Sequence, residues 1–239
     1  MSEQPVEDKF KRSFRDKDAF ADQKNLCAQA CVIFDVGANQ GQTSKKYRGL
    51  FPGAEIHAFE PFPDAYRVLE RRYKSDQKII CNQIALGVSQ GGRKFHTYEA
   101  SVTNSLMPFA DDVADLVPMA TDLKTTIEVG ADTLDSYCAT HGVDHIDILK
   151  MDTQGAELEI LRGAQRMLEE QRISLIYSEH IFVPLYEGQA EFYEVAAELA
   201  HFGFGIYDFY SFVYADSGQL KWGDAIYLCP QPNLQADHK

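Results

Sequence analysis

Two features near the start of the chain have residue types and a spacing suited to binding a ligand with a ribose. The first is a loop bounded by two glycines, residues 35–41 (DVGANQG), whose backbone could turn sharply and approach a ligand closely. The second is Glu60, which follows Gly37 by 23 residues, where an acidic side chain often accepts hydrogen bonds from ribose hydroxyls. Enzymes that bind nicotinamide dinucleotides and enzymes that bind adenosylmethionine both use this geometry. An ordinary tight turn and a surface Glu before Pro61 are the structural alternatives.

The loop differs from two familiar phosphate-binding loops. Ala38 and Asn39 occupy the middle positions, so it is not Gly-x-Gly-x-x-Gly, and no Gly-Lys-Ser/Thr follows as in a P-loop. A dinucleotide's pyrophosphate favours a glycine-rich helix N-terminus, which is missing here. The loop therefore favours adenosylmethionine over a dinucleotide.

Strand and helix patterns alternate along most of the chain, and these elements must position the loop and Glu60. Short apolar runs typical of buried parallel strands lie at 31–36, 56–59, 78–81, 146–151 and 174–177, and helical spacing marks 64–74, 156–170 and 192–203. This alternation predicts an α/β fold with a mostly parallel sheet and helices on both faces. Because such sheets bind ligands at the carboxyl ends of their strands, the loop and Glu60 fall where a ligand is expected.

Two regions depart from the alternation. The runs at 205–209 and 225–228 are separated by a turn region without helical spacing, which predicts a C-terminal antiparallel hairpin. Between Phe95 and Thr133 prolines and aspartates interrupt the pattern, and we predict a long loop or small excursion there. We predict one domain over residues 25–239, preceded by a charged N-terminal arm or helix over residues 1–24.

The composition excludes several classes of protein. The 239 residues carry 23 Lys and Arg against 36 Asp and Glu, a net charge of −13, and the chain is 45% hydrophobic, too apolar for disorder. The acidic balance argues against a nucleic-acid partner, because phosphate neutralisation needs clustered basic residues. We see no signal peptide and no membrane span, and so expect a cytoplasmic protein with no membrane partner. The scattered cysteines are expected to stay reduced as small apolar fillers: Cys27, Cys31, Cys81, Cys138 and Cys229.

Three ordered blocks carry a more specific signal than the glycine loop alone. The first block consists of residues 32–43 (VIFDVGANQGQT) and 58–61 (AFEP). The second consists of residues 133–135 (TLD), 146–157 (IDILKMDTQGAE) and 161–164 (LRGA). The third consists of residues 186–189 (YEGQ) and 199–204 (LAHFGF), and residues 223–227 (GDAIY) follow it. Together these blocks resemble the FkbM family of S-adenosylmethionine-dependent methyltransferases, over roughly residues 30–229.

The resemblance implies a class I methyltransferase (Rossmann-like) fold, with a seven-stranded sheet whose last strand runs antiparallel. It also implies S-adenosyl-L-methionine as the cofactor, and members of the family mostly O-methylate hydroxyls of sugars or secondary metabolites. Carried over by position, Asp35, Gly37, Asn39 and Gly41 would form the cofactor loop, Glu60 would hold the ribose, the segment from Asn82 to Ala85 would border the adenine, and Asp152 would face the methionine moiety or the acceptor.

The implied reaction is a direct displacement by an acceptor oxygen on a sulfonium methyl group. Positioning contributes much to such a reaction, since well-oriented partners reach effective molarities of ~10⁵ M or more. An alcohol acceptor also loses a proton, so a base or a metal within hydrogen-bond reach is expected. The catalytic candidates converge at two strand ends: Lys150, Asp152, Glu157, Glu179 and His180. His180 has the most useful unperturbed pKa. We assign no metal, although Asp152, Glu179 and His180 form an alternative set for a divalent cation.

Three hypotheses about function follow. The leading one is a methyltransferase acting on a small-molecule or glycan hydroxyl; the others are a nicotinamide-dependent oxidoreductase and a methyltransferase-like domain that binds without turnover. Residues 99–157 hold twelve acidic and two basic side chains, which favours a neutral, hydroxyl-rich acceptor over an anionic one.

Two further segments have an open interpretation. Residues 101–105 (SVTNS) loosely resemble a Ser-rich segment near the active site of the family, or form an ordinary polar loop. Aromatic residues near the chain end could stack on a sugar or pack across the hairpin: Tyr207, Phe209, Tyr210, Phe212 and Tyr214.

Overall fold

The computed structural model describes residues 17–99, 103–110, 113 and 123–229. The helices are α1 (Ala19–Leu26), α2 (Gln42–Leu50), α3 (Pro63–Tyr73), α4 (Leu134–His141), α5 (Glu157–Arg162), α6 (Gln165–Glu169) and α7 (Phe192–His201). The strands are β1 (Val32–Val36), β2 (Glu55–Phe59), β3 (Ile79–Asn82), β4 (Ala85–Leu86), β5 (Gly91–Tyr98), β6 (Leu123–Asp132), β7 (Ile146–Met151), β8 (Ile173–Ile181), β9 (Gly205–Tyr214) and β10 (Leu220–Leu228). Residues 1–16 of the predicted N-terminal segment lie outside the described residues. In the part of the chain that the structure describes, no helix has the length and apolar character needed to cross a membrane.

The main sheet has seven strands within the described ranges, in the order β3-β2-β1-β7-β8-β10-β9. The five strands from β3 to β8 run parallel to one another. β10 runs antiparallel to both β8 and β9, which confirms the predicted C-terminal hairpin. The winding direction reverses between β1 and β7, so the loops that follow these two strands diverge and leave a crevice.

Apolar side chains cover both faces of this sheet, because alternate residues of a strand point to opposite faces. On one face Ile33 of β1 packs in a cluster with Tyr47 of α2 and Leu69 of α3. On the other face Phe34 belongs to a cluster built with α4, α5, α6 and α7, through Leu134, Leu161, Leu168 and Leu199. The predicted α/β class I methyltransferase architecture, with helices on both faces, is confirmed.

The helix predicted over residues 156–170 is instead two short helices, α5 and α6. Gly163 interrupts them, and a Cβ at this position would lie 2.1 Å from the carbonyl oxygen of Gly87. The turn therefore packs directly on the loop that follows β4, a contact that apolar spacing along the helix does not reveal.

The region predicted as a long loop or small excursion contains a small sheet at its two ends. Among the described residues β5 pairs antiparallel with β6, and β4 pairs in parallel with the far end of β6. Most side chains of the first half of β6 are exposed, so this strand lacks the apolar alternation that signals a strand in sequence. Phe95 and Val129 form a small apolar cluster with Ala85, and this cluster places β5 beside the crevice of the main sheet.

Candidate functional site

A cavity of about 610 Å³ opens at the carboxyl ends of β1, β2, β7 and β8. One end lies between the loop after β1, Glu60 after β2 and the segment that leads into β4. The other end lies between Asp152 after β7, Glu179 on β8 and Tyr186. Thr103, Asn104, Leu106 and Phe109 contribute to its wall. Seven of the predicted residues line this cavity: Gly37, Asn39, Glu60, Ala85, Lys150, Asp152 and Glu179. Five do not: Asp35, Gly41, Asn82, Glu157 and His180.

The loop after β1 is shaped by contacts with the rest of the chain. Gly37 has a φ of +74°, and a Cβ there would lie 1.9 Å from the carbonyl oxygen of Asp152. Gly41 has a φ of +82°, and a Cβ there would lie 2.6 Å from the ring of Tyr73. The amide groups of Gly37 and Ala38 both donate to the Phe59 carbonyl, at 3.1 and 2.9 Å. Close approach to other parts of the protein thus explains both glycines; the predicted approach of the loop to a ligand stays a prediction.

Glu60 faces the cavity at the end of β2. Its Oε2 accepts a 2.7 Å hydrogen bond from the Asn39 amide, and its Oε1 accepts one of 2.9 Å from the Phe62 amide. Burial raises the pKa of this carboxyl to about 7, although both amide bonds act to lower it. A carboxylate has about four lone-pair sites, so two acceptor positions remain for hydroxyl groups in the cavity.

Lys150 and Asp35 form a buried ion pair beneath the loop. The Lys150 Nζ lies 3.1 Å from Asp35 Oδ1 and donates to the carbonyl oxygens of Val36 and Gly37, at 3.1 and 3.0 Å. Asp35 Oδ2 accepts a 2.6 Å hydrogen bond from the hydroxyl of Ser44 on α2. Burial acts to lower the pKa of Lys150, but the nearby Asp35 and Asp152 carboxylates raise it overall. The ammonium is thus held in its charged form and directed at the loop.

A loop after β7 brings two carboxyl groups together through one amide. Gln154 Nε2 donates to Glu179 Oε2 at 2.7 Å and to Asp152 Oδ1 at 3.1 Å. Glu157 holds this loop from the first turn of α5, because its carboxylate accepts hydrogen bonds from the Thr153 amide and hydroxyl and from the Gly155 amide. Asp152, Gln154 and Glu179 all line the cavity.

The pKa of Glu179 lies well above that of an ordinary carboxyl group. Burial is the main cause, and the neighbouring carboxylates of Asp152, Glu157 and Asp224 add to it. Asp224 stands opposite Glu179 on the antiparallel strand β10. A carboxyl group in this setting takes up a proton more readily than an exposed one, since its charged form is disfavoured.

His180 and Glu157 are the two catalytic candidates that do not line the cavity; Glu157 binds the loop after β7, whereas His180 lies on the other face of the sheet. Glu179 and Ile181 line the cavity, so the alternation of β8 turns His180 to the opposite face of the sheet. There His180 Nε2 lies 2.9 Å from the Tyr227 hydroxyl, and the ring packs on Phe192. Burial lowers the pKa of His180 to about 4. The alternative set for a divalent cation is therefore not assembled, and in the described ranges no group of three or more His, Cys, Asp or Glu is placed to hold a metal.

In the segment from Asn82 to Ala85, the Asn82 side chain bonds to the rest of the protein and Ala85 lines the cavity. The Asn82 side chain closes the end of β3, donating to the carbonyls of Ala58 and Ile80 and accepting from the Tyr137 hydroxyl. Ala85 lines the cavity, and its apolar neighbours there are Phe59, Ile84, Leu86 and Phe95. The wall near β4 is therefore mainly apolar, while Asn39, Gln42, Thr43 and Glu60 are the polar residues that line the cavity near the loop after β1.

Sequence reasoning missed Gln154 and Tyr186, although both lie within the motif blocks. Gln154 is the central residue of Asp-Thr-Gln-Gly, and Tyr186 opens Tyr-Glu-Gly-Gln. The described part of the Ser-rich segment lies beside the cavity, while residues 101 and 102 lie outside the described residues. Thr103 and Asn104 line the cavity, and the Ser105 hydroxyl donates to the Gln154 carbonyl at 2.7 Å.

The two remaining predictions concern the aromatic residues near the chain end and the cysteines. Phe209 and Phe212 stack on each other with centroids 5.8 Å apart, and neither lines the cavity. Trp222 on β10 is the aromatic residue of the hairpin that does line it. All five cysteines are free thiols; Cys138 and Cys229 are buried fillers, whereas Cys31 is exposed, so the predicted filler role is wrong for Cys31.

Residues 35–206 match the methyltransferase FkbM domain family. The 2-O-methyltransferase NoeI of Sinorhizobium fredii is 27% identical over 165 residues, which cover 66% of this chain and 66% of that relative. The 31-O-demethyl-FK506 methyltransferase FkbM of Streptomyces tacrolimicus is 26% identical, over 56% of this chain and 59% of that relative. The matched region thus spans slightly under two thirds of each of these relatives.

Among solved structures, this chain is similar to a putative O-methyltransferase from Klebsiella pneumoniae. The match covers 91% of this chain and 83% of that protein, with 11% sequence identity and a TM-score of 0.46. The family match covers well over half of the sequence, and every residue that lines the cavity except Trp222 lies within it. This chain therefore belongs to the FkbM family of methyltransferases.

Proposed function

We propose that the protein transfers a methyl group from S-adenosyl-L-methionine to a hydroxyl of a neutral small molecule, either a sugar or glycan or a secondary metabolite. The observation that carries this proposal is the single cavity in which the glycine loop and Glu60 stand at one end and Asp152 and Glu179 at the other. Two relatives named as O-methyltransferases support the choice of oxygen as the acceptor atom.

The residues present fit S-adenosylmethionine. The cavity volume falls within the roughly 300–1,000 Å³ usual for small-molecule sites. Ile84, Leu86 and Phe95 offer an apolar wall for the adenine ring, and Glu60 retains acceptor positions for ribose hydroxyls. When bound, the cofactor supplies a sulfonium methyl group whose bond to sulfur breaks as the new bond to oxygen forms, with the electron pair remaining on sulfur.

The acidic end of the cavity supplies the proton acceptor. The acceptor hydroxyl must lose its proton as the oxygen attacks, and the side chains of Glu179 and Asp152 line the same cavity as the glycine loop, which packs at Gly37 on the backbone of Asp152. The raised pKa of Glu179 makes it a stronger proton acceptor than an ordinary carboxylate. Lys150 is not assigned as the base, because it is charged and bound to Asp35 and two carbonyl groups.

The charge of the cavity indicates which acceptors it admits. Glu60, Asp152 and Glu179 line it together with Lys150, whose Nζ lies 3.1 Å from Asp35 and 3.8 Å from Asp152. The carboxyl groups of the wall outnumber this cation, so an anionic acceptor would meet Coulomb repulsion in a partly enclosed site, where repulsion is strong. We therefore infer a neutral, hydroxyl-bearing acceptor.

Calorimetric titration of the purified protein with S-adenosylmethionine and with NAD tests the choice of cofactor. We expect saturable binding of S-adenosylmethionine, weakened about tenfold or more in Glu60→Gln, because hydrogen bonds to a charged acceptor are lost. The matched variant Glu169→Gln, at an exposed position of α6, should bind like the unmodified protein. Binding of NAD without binding of S-adenosylmethionine would overturn the proposal in favour of an oxidoreductase.

Release of S-adenosylhomocysteine with a panel of sugars, glycosides and hydroxylated metabolites tests turnover. We expect release with at least one neutral member and none with phosphorylated counterparts of the same compounds. Cofactor binding without release across the panel would instead support a ligand-binding domain without turnover.

A further inference from the structure

Gln154 connects the two carboxyl groups of the cavity to a tyrosine. Its Nε2 donates to both Glu179 and Asp152, while its Oε1 accepts a 2.9 Å hydrogen bond from the Tyr186 hydroxyl. Its backbone has a φ of +59°, a left-handed conformation that residues other than glycine adopt uncommonly. The Ser105 hydroxyl donates to the carbonyl of the same residue. Gln154 is thus fastened at its backbone and at both ends of its carboxamide.

Gln154 is a neutral hydrogen-bond donor to Glu179, and most of the groups around Glu179 are acidic. The charged or titratable groups that act on Glu179 from neighbouring elements are Asp152, Lys150, Glu157, Asp224 and Tyr186. The carboxylate of Glu157 is bound by the amide groups of Thr153 and Gly155, and that of Asp224 by the Tyr177 hydroxyl. Lys150 Nζ lies 3.1 Å from Asp35 Oδ1 and 3.8 Å from Asp152 Oδ2, and it donates to two carbonyl groups of the loop. Two carboxyl groups on one amide nitrogen, with this one lysine near Asp152, favour a state in which only one is ionised.

We propose that Gln154 is a positioning residue that holds Asp152 and Glu179 together as one proton-sharing pair, and that Tyr186 sets the orientation of its carboxamide. The role of this pair in catalysis rests on the proposed function. The pair carries one proton and one negative charge before the reaction. It takes the proton of the acceptor hydroxyl as the new bond from oxygen to carbon forms, becomes neutral, and then returns a proton to solvent.

Tyr186 fixes the direction of the carboxamide through its hydroxyl and not through its ring. The hydroxyl lies within hydrogen-bond distance of Gln154 Oε1 and of the Thr103 carbonyl, at 2.9 and 3.1 Å, both of them acceptors. The ring is held separately, stacked on Phe109 with centroids 4.8 Å apart. Tyr186→Phe therefore removes the donor while the stacked ring is retained. Without that donor the carboxamide can rotate, and its oxygen can then face the carboxylates.

The experiment is a ¹³C NMR titration of the ligand-free protein labelled at the side-chain carboxyl carbon of glutamate, with Glu179→Gln used to assign the signal. We expect Glu179 to titrate well above the usual midpoint of about 4.3. In Gln154→Met the midpoint should rise further, by about one pH unit, because a hydrogen bond to the ionised form is lost. Tyr186→Phe should shift it in the same direction by less.

Two matched variants separate this effect from general damage. Gln165→Met removes a glutamine that donates to Glu198 on α7, and Tyr227→Phe removes a buried hydroxyl on the opposite face of the sheet. Neither should move the Glu179 midpoint. If Gln154→Met does not fold, Tyr186→Phe alone decides the outcome.

An ordinary midpoint for Glu179, or a midpoint unchanged in Gln154→Met and Tyr186→Phe, would overturn the inference. The titration needs neither cofactor nor acceptor, so its failure is distinct from a failure of the proposed function, which the calorimetry and the acceptor panel report.

Discussion

The two ends of the cavity bind their carboxyl groups in different ways. At the cofactor end the buried Asp35 pairs with Lys150 and with the Ser44 hydroxyl, and Glu60 accepts hydrogen bonds from two backbone amides. At the acidic end Asp152 and Glu179 both accept from the amide of Gln154, and Lys150 lies 3.8 Å from Asp152. The first end is held by close backbone contacts and a buried ion pair at 3.1 Å. The second places two carboxyl groups on one neutral donor, where the proposed function needs a proton acceptor.

Under the proposed function, this difference would separate cofactor binding from proton transfer within one cavity. A group that must hold a cofactor in place benefits from satisfied, immobile partners. A group that must accept a proton benefits from surroundings that raise its pKa towards the working pH. The predictions below each test whether the two ends differ in this way.

Lys150→Met should have the largest effect, because it leaves the Asp35 carboxylate buried without its cation. Removing one partner of a buried pair costs roughly 3–5 kcal/mol of the free energy of unfolding. Urea denaturation measures the loss, and Lys45→Met, at an exposed position on α2, is the control. A loss no greater than that of the control would mean that the ion pair does not hold the cofactor end.

Gly37→Ala should follow, since its Cβ would lie 1.9 Å from the Asp152 carbonyl oxygen in a left-handed backbone conformation. Overpacking and backbone strain together predict a loss of about 3 kcal/mol, with weakened binding of S-adenosylmethionine. Gly49→Ala is the matched control, because nothing lies within 4 Å of its Cβ inside α2. That variant should be unchanged or more stable by about 0.5 kcal/mol. Equal effects in the two variants would contradict the close contact between β1 and β7.

The affinity for S-adenosylmethionine should depend on pH through Glu60. Burial raises the pKa of Glu60 to about 7, and ribose hydroxyls donate to the ionised form. Binding should therefore be tight above this pKa and weaken as the pH falls through it, by about tenfold between one unit above and one unit below. Calorimetry across that range measures the change, and Glu60→Gln should abolish it. A dependence of equal size in Glu60→Gln would show that another group is responsible.

His180→Phe should have the smallest effect, and it tests whether His180 is separate from the acidic end of the cavity. It removes the hydrogen bond to Tyr227 on the face away from the cavity, at a cost of about 1 kcal/mol in stability. Binding of S-adenosylmethionine and the Glu179 titration should both stay within experimental error of the unmodified protein. A shift of the Glu179 midpoint in His180→Phe would place this histidine in the chemistry after all.

Much of the cofactor end could be predicted because it is formed by residues close together in the chain. The loop from Asp35 to Gly41 and the strand that ends at Glu60 are neighbouring βα units, so spacing alone placed them at one edge. The small sheet of β5 and β6 escaped prediction because an exposed strand has little apolar alternation. The break at Gly163 escaped because it depends on a contact with Gly87, far away in the sequence.

The acidic end joins three separate segments, with Gln154 after β7, Glu179 on β8 and Tyr186 beyond it. Its candidates were correctly placed at strand ends, but their directions were open. A strand turns alternate side chains to opposite faces, and only the packing of β8 between β7 and β10 determined that Glu179 faces the cavity and His180 the core.

The amino-acid sequence by itself determined the class of fold, the order of its elements and the family, because these depend on local hydrophobic patterns and contiguous motifs. Only the tertiary structure decided which side chains share the cavity and which state of charge each favours. Both depend on burial and on neighbours brought from distant parts of the chain, and the pKa of a group follows those surroundings more than its residue type. The same physical reason makes Lys150 a fixed cation beneath the loop and Glu179 a carboxyl group that takes up a proton.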